Sequence, residues 1–232
     1  MNILAIIPAR GGSKEIPRKN IKIFGGKPLI SYSIESAMKS KCITRIIVST
    51  EDLEIRKISM KYGAETITRP PNLAGDDSAT IDVILHSLNF LKENENYVPD
   101  IVVLLQPTSP LRLAEDIDDS IERFINNDCD SVISVCKLDT SPYWSLKIVK
   151  NYLKPAFGEK YLESKRQDLP NLYVLNGSIF ISTPKILKKF NSFQNEKTIA
   201  YLMPPERSVD IDTELDFIVA EFLMKKSNNY YE

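Results

Sequence analysis

Three cysteines in 232 residues, Cys42, Cys129 and Cys136, are too few and too irregularly spaced for a disulfide framework or a zinc site. An odd set of that kind fits reduced thiols in a cytoplasmic protein. Histidine is scarcer still. His86 is the only one, and with no second histidine or cysteine at metal spacing it reads as a packed or solvated helix residue rather than a catalytic one. Net charge is nearly nil: thirty basic against thirty-one acidic residues give −1. No global field therefore draws the chain to nucleic acid or to an anionic membrane, and any cationic site has to be local. No apolar run approaches the ~20 residues of a membrane span. The apolar start, Ile3 to Ile7, runs straight into Pro8 and a charged loop, which is not how a secretory leader reads. Two glycine fingerprints are also missing. GxxxxGK[ST] is absent and GxGxxG does not follow the first strand, which sets aside a P-loop NTPase and a dinucleotide-binding fold. These absences leave a soluble, cytoplasmic, enzyme-like chain whose partners are small molecules or copies of itself.

What is present alternates. Ile3 to Pro8 is a short apolar run of strand length, buried on both faces as parallel sheets require. Apolar residues at helical spacing predict a helix over Pro28–Ser40, followed by a strand at Arg45–Ser49, a helix through Ile55, Ile58 and Tyr62 that stops at Gly63, and a strand at Glu65–Thr68. The loop from Arg69 to Ser78, with two prolines and paired aspartates, leads into a helix through Ile81, Ile84, Leu85 and Leu88. Ile101–Leu105 is the most apolar strand and belongs at the centre of the sheet; a helix over Ala114–Asn126 and strands at Ser131–Cys136 and Leu172–Ser182 follow. The last helix is expected over Thr213–Lys226, amphipathic through Leu215, Ile218, Val219 and Phe222. Strands joined by crossover helices predict a single α/β domain over residues 1–232, with a mostly parallel sheet covered by helices on both faces. Only residues 137–170 break the period. That insertion carries Tyr143, Trp144, Tyr152, Phe157 and Tyr161, cannot bury them in a core of its own, and so needs a partner surface.

Four stretches carry chemistry. The loop after the first strand, Arg10-Gly11-Gly12-Ser13-Lys14-Glu15-Ile16-Pro17-Arg18-Lys19-Asn20, combines glycines that permit positive φ and close approach with four cations, a combination suited to a triphosphate. A basic surface turn is the competing account, and position favours the ligand, since the loop leaves the carboxyl end of the first strand of an α/β sheet. Ser78 either caps the following helix or touches ligand. Gln106-Pro107-Thr108-Ser109-Pro110-Leu111-Arg112 is a proline-fixed polar turn at the same end of the sheet. In Val209-Asp210-Ile211-Asp212-Thr213-Glu214-Leu215-Asp216, strand alternation would put Asp210 and Asp212 on one side, where both carboxylates can approach a hard cation such as Mg2+; helix capping accounts for Glu214 and Asp216.

The strings IIPARGGSKEIPRKN, LLQPTSPLR and DIDTELD, in that order, resemble the acylneuraminate (nonulosonic acid) cytidylyltransferases, the enzymes that make CMP-sialic and CMP-legionaminic acids. The matches run from Ile6 to Asp216. The resemblance implies a Rossmann-like nucleotide-diphosphosugar transferase fold and transfer of CMP from CTP to a nine-carbon 2-keto sugar acid. It implies CTP held by Arg10, Gly11, Gly12, Ser13, Lys19, Asn20 and Ser78, and sugar held by Gln106, Arg112, Arg166 and Asn176. Mg2+ falls to Asp210 and Asp212, a catalytic role to Arg10, Lys19 and Asp212, and a homodimer made through the insertion. Arg166 suits the sugar carboxylate because its planar fork binds bidentately, with Lys165 as runner-up. Two departures stand out. Glu15 occupies a position usually given to a small residue, and Trp144 stands near a position where sialic acid enzymes tend to place a lysine. An indole cannot make that ionic contact, which points to a less hydroxylated sugar such as legionaminic acid. Activation of 3-deoxy-manno-octulosonic acid and a non-catalytic CTP-binding subunit are the alternatives.

Overall fold

A computed structural model describes residues 1–75 and 77–228; Asp76, one of the paired aspartates of the loop expected over 69–78, lies outside them. The first strand, β1 (Ile3–Pro8), is buried from Ile3 to Ile7 and its side chains serve two layers. Ile3, Ala5 and Ile7 pack into one apolar cluster with Ile30 and Ile34, whereas Leu4 and Ile6 pack into another with Ile84, Leu88 and Leu91. That division is the consequence of period-2 side chains in a sheet covered on both faces.

After β1 come a two-residue hairpin, β2 (Ile23–Phe24) and β3 (Lys27–Pro28), and helix α1 (Leu29–Lys39). β4 (Arg45–Thr50), α2 (Leu53–Lys61), β5 (Glu65–Thr68), α3 (Thr80–Glu95), β6 (Ile101–Leu105), α4 (Ala114–Ile125) and β7 (Ser131–Lys137) continue the alternation. The insertion forms its own hairpin, β8 (Leu146–Val149) with β9 (Tyr152–Pro155), which pairs with nothing else among the described residues. β10 (Tyr173–Ser182), α5 (Pro184–Phe190), β11 (Thr198–Met203) and α6 (Glu214–Asn228) complete the chain.

The sheet order is β11-β7-β10-β6-β1-β4-β5, parallel except for β10, which runs antiparallel to both β6 and β7. β1 lies between β4 and β6, so the winding reverses there. The loops after β1 and β6 leave on opposite sides of that reversal and open a crevice between them, the place where such sheets bind ligands. β10 interrupts its own ladder between Leu175 and Phe180, around Gly177 at φ 71°.

Two expectations change. β11, α5 and the antiparallel sense of β10 have no counterpart in the sequence pattern as read above. In α6 the inward residues are Phe217 and Ala220, joined by Met224, against Phe24 and Ile211. The expected apolar stripe, Leu215, Ile218, Val219 and Phe222, faces outward and is exposed.

Because Ile6 is fully buried at the centre of the sheet, Ile6→Ala should lower unfolding free energy by about 2–5 kcal/mol in urea titrations. Val98→Ala, at an exposed loop position, should stay within about 0.5 kcal/mol of the parent.

Candidate active site

Over the carboxyl ends of β1 and β6 lies a cleft of about 610 Å³. Its walls come from four segments: Arg10, Ser13, Lys14, Glu15, Lys19 and Asn20 after β1, Arg69 and Ser78 between β5 and α3, Gln106 and Thr108 after β6, and Asp212. The first loop folds back on itself. Asn20 is buried and donates from Nδ2 to the Arg10 carbonyl at 2.9 Å, closing a ring that ends in a single 3-10 turn at Lys19–Ile21. From that turn Lys19 reaches across the cleft, and its Nζ donates to the Ile211 carbonyl at 2.7 Å and to Asp212 Oδ1 at 2.9 Å. The opening loop and the late acidic segment therefore meet in a direct contact.

The acidic segment is extended but unpaired, not the strand its alternation suggested. One hydrogen bond, Ile211 N–H to the Thr108 carbonyl at 2.8 Å, pins it to the turn after β6. Ile211 is fully buried, and the charge of Asp212 on its one side acts on Asp210 on the other. Burial pushes the Asp210 carboxyl above the usual range; a hydrogen bond from Thr108 works the other way, and the charge of Asp212 adds to the rise. Oδ1 of Asp210 is buried without a hydrogen-bond partner. A Cβ on residue 177 would lie 2.8 Å from Asp210 Oδ2 and 3.0 Å from Gln106 Oε1, so only glycine leaves room for both side chains at this point of β10.

This donor set fits a small hard cation. It consists of carboxylate oxygens only, one of them buried and unsatisfied, and no group of three or more metal-ligating side chains exists among the described residues. A cation there would complete its shell with substrate phosphate oxygens and water, as Mg2+ does.

Several site expectations need correction. Gly11 and Gly12 do not adopt positive φ and do not line the cleft. Gly11 serves close approach instead: its N–H donates to Glu51 Oε1 at 2.6 Å, and a Cβ there would meet Asp52 Oδ2 at 2.6 Å. Arg112 does not reach substrate space. It is buried, Nη1 donates to the Ser178 carbonyl and Nη2 to Ser33 Oγ, both at 2.7 Å, and desolvation pulls its pKa below the usual arginine range. Asn176 is likewise consumed internally, accepting from Ser134 Oγ at 2.6 Å and donating to Ser208 Oγ at 2.9 Å. Arg166 lies 3.6 Å from Asp139 in a separate hollow of about 320 Å³ at the base of the insertion. Ser78 lines the cleft but does not cap α3; its hydroxyl donates to the Asn72 carbonyl at 3.2 Å.

Arg69 was missed by sequence reasoning. It is buried in the cleft wall, donates from Nη2 to the Ser49 carbonyl at 2.7 Å and leaves Nε unpartnered. Burial lowers its pKa, Glu51 raises it and Arg10 lowers it further. An arginine directly after a strand and directly before Pro70 was the available signal.

The cytidylyltransferase family model matches residues 4–229. The chain belongs to the cytidylyltransferase family. It is a nucleotidyltransferase, and two of its relatives match over nearly their whole length. A CMP-N,N'-diacetyllegionaminic acid synthase from Legionella pneumophila is 38% identical, with 97% of each chain covered. A pseudaminic acid cytidylyltransferase from Campylobacter jejuni is 34% identical at the same coverage. A solved CMP:2-keto-3-deoxy-manno-octonic acid synthetase complexed with CTP superposes with a TM-score of 0.71 at 16% identity, covering 98% of this chain and 100% of that one. At that identity the match speaks for the cytidylyltransferase fold alone.

The two arginine placements lead to opposite outcomes. Arg112→Ala strands the Ser178 carbonyl and the Ser33 hydroxyl, and should cost roughly 2–4 kcal/mol in denaturant titrations while leaving the KM for CTP of the folded protein unchanged. A contact to substrate would instead raise KM at nearly unchanged stability.

Proposed function

We propose that this cytidylyltransferase joins CTP to a nine-carbon 2-keto sugar acid, giving the CMP-sugar and pyrophosphate. The observation that carries the proposal is the Lys19 contact to Asp212 and the Ile211 carbonyl beside Arg10, which puts cations and carboxylates on one cleft of nucleotide size. Arg10 and Lys19 would neutralise charge on the phosphate oxygens as the sugar's anomeric hydroxyl attacks the α-phosphorus and pyrophosphate leaves in line. Ser13, Asn20, Ser78 and Arg69, which line the cleft with Gln106 and Thr108, would face the nucleotide. Asp210 and Asp212 would hold Mg2+, whose charge stabilises the same oxygens.

Legionaminic acid is the substrate we favour within the class. Trp144, half-buried on the short turn Pro142–Trp144, is an indole near the position where the resemblance to sialic acid enzymes would have a lysine. The Legionella relative's name agrees. Purified protein with CTP, Mg2+ and a panel of legionaminic, N-acetylneuraminic, pseudaminic and 3-deoxy-manno-octulosonic acids should release pyrophosphate fastest with legionaminic acid. Release from none of the four would overturn the reading. Asp212→Asn should cut kcat by roughly 10²-fold or more if its carboxylate serves the reacting phosphate, at near-parental stability because the side chain is largely exposed.

The active unit we propose is a homodimer. The β8–β9 hairpin leaves Ile148, Tyr152 and Leu153 more than 60% exposed, and the outward stripe of α6 begins three residues after Asp212. Packing a partner's insertion against that stripe would cover both apolar surfaces and carry the partner's Arg166 toward the cleft, where its guanidinium could take the sugar carboxylate. Light scattering should give twice the 26.4 kDa chain mass. Mixing inactive Arg166→Ala and Asp212→Asn proteins, with subunit exchange, should restore part of the activity, since one of the two sites in a mixed dimer would be intact. No restoration in demonstrated mixed dimers would place both residues in the same subunit's site.

A further inference from the structure

Glu51 and Asp52 join β4 to α2 outside the cleft, and the reaction described above uses neither. Both carboxylates nonetheless grip the loop that carries the cleft's cations. Glu51 Oε1 accepts the Gly11 N–H at the start of the loop at 2.6 Å, and its second oxygen is buried without a partner. Asp52 takes the far end. Arg18 donates to it twice, from Nη1 to Oδ2 and from Nη2 to Oδ1, the second at 3.1 Å, and also reaches Glu54 at 2.7 Å. Asp52 is anchored in turn because Oδ1 caps α2, accepting from the Glu54 and Ile55 N–H groups at 2.9 Å each.

The backbone is shaped to this grip. Arg18 sits at φ 58°, ψ 29°, a left-handed conformation that side-chain-bearing residues avoid unless the surroundings impose it. Its carbonyl accepts from the Ile21 and Lys22 N–H groups, both at 3.0 Å, which starts the turn that aims Lys19 and Asn20 into the cleft. At the other end, residue 11 has to be glycine because the Asp52 carboxylate fills the space of a Cβ. Negative charge beside a phosphate-binding loop is electrostatically unfavourable unless it is neutralised locally, and here Arg18 supplies the compensation.

We propose that Glu51 and Asp52, with Arg18, are positioning residues that brace both ends of the 11–18 loop, so that Lys19 and Asn20 meet the nucleotide already oriented. The proposal rests on the CTP-binding reading of the cleft. Pre-orientation acts on affinity more than on chemistry, because the cost of ordering the loop is met before the ligand arrives.

Two substitutions in the full chain remove the brace with little disturbance elsewhere. Arg18→Gly tolerates φ 58° and lacks the ion pair; Asp52→Asn keeps a good helix cap and lacks the charge. Each should raise the KM for CTP about tenfold, equal to roughly 1.4 kcal/mol, with kcat within about twofold. The double variant should be no worse than the poorer single, because both remove one interaction. Arg18→Lys, which keeps the charge but not the fork, should recover part of the loss. Amide exchange at residues 11–20, measured without nucleotide, should accelerate in both single variants at unchanged melting temperature. Unchanged KM in both, strictly additive losses, or unchanged exchange would each overturn the brace. If the parent releases no pyrophosphate with any keto acid, the functional reading fails by itself. CTP affinity by calorimetry and the exchange rates then decide the brace: a Kd or an exchange pattern equal to the parent's would overturn it.

Discussion

One ammonium group joins parts of the chain 192 residues apart. Lys19 Nζ meets the Ile211 carbonyl and Asp212, and Ile211 N–H meets the Thr108 carbonyl, so the loops after β1 and β6 and the acidic segment before α6 form one connected wall. The contact also answers an electrostatic problem. Asp210 is buried beside a second carboxylate, an arrangement that disfavours ionisation unless positive charge stands close. The charge of Lys19 favours the ionised form of Asp210, against burial and the charge of Asp212.

The sheet makes that meeting possible, and ion pairs away from the cleft hold it. β1 and β6 are packed on both faces, so their carboxyl ends cannot shift relative to one another without disturbing two apolar layers. The acidic segment has no strand partner and depends on side chains. Arg207, three residues before Asp210, donates to Asp116 at 2.7 and 3.2 Å. Asp116 is almost fully buried and also accepts the Leu113 N–H at the start of α4, so one carboxylate fixes both a helix terminus and the approach to the acidic pair. Tyr201 donates its hydroxyl to the same carboxylate; burial first, and the charges of Asp116 and Asp119 next, keep its phenol protonated well above the usual tyrosine range.

Much of this was legible from residue order alone, because parallel strands buried on both faces leave continuous apolar runs and loops at switch points collect charge. β1, β4 and β6 followed from that, whereas bringing Lys19 and the acidic pair to one site was what the resemblance implied. Arg112 and Asn176 did not, and the reason is physical. A sequence shows how many donors and acceptors a side chain carries but not which are already taken: the Ser178 carbonyl on β10 accepts from Arg112, and the Ser178 N–H donates to Asn176 Oδ1. Gly11 misled in a related way. Glycine serves positive φ and close approach alike, and only the position of the Asp52 carboxylate tells which is needed here.

Helix α6 shows why amphipathic reading has a definite limit. Its residues at 215, 218, 219 and 222 make the stripe that periodicity selects, yet Phe217 and Ala220 are the ones that close over Phe24 and Ile211. A helix apolar on two faces has no single inward direction, so its orientation is set by what it must cover: here the underside of the acidic segment, where Ile211 is fully buried. Turning the helix to bury the other stripe would expose Phe217 and uncover Ile211, loosening the residue that holds Asp210 and Asp212 in place. The fold therefore buries Phe217 and Ala220 beneath the acidic segment and leaves the larger apolar stripe exposed. A second copy covering that stripe, as proposed above, would press on the same helix whose inner face supports Ile211 between Asp210 and Asp212.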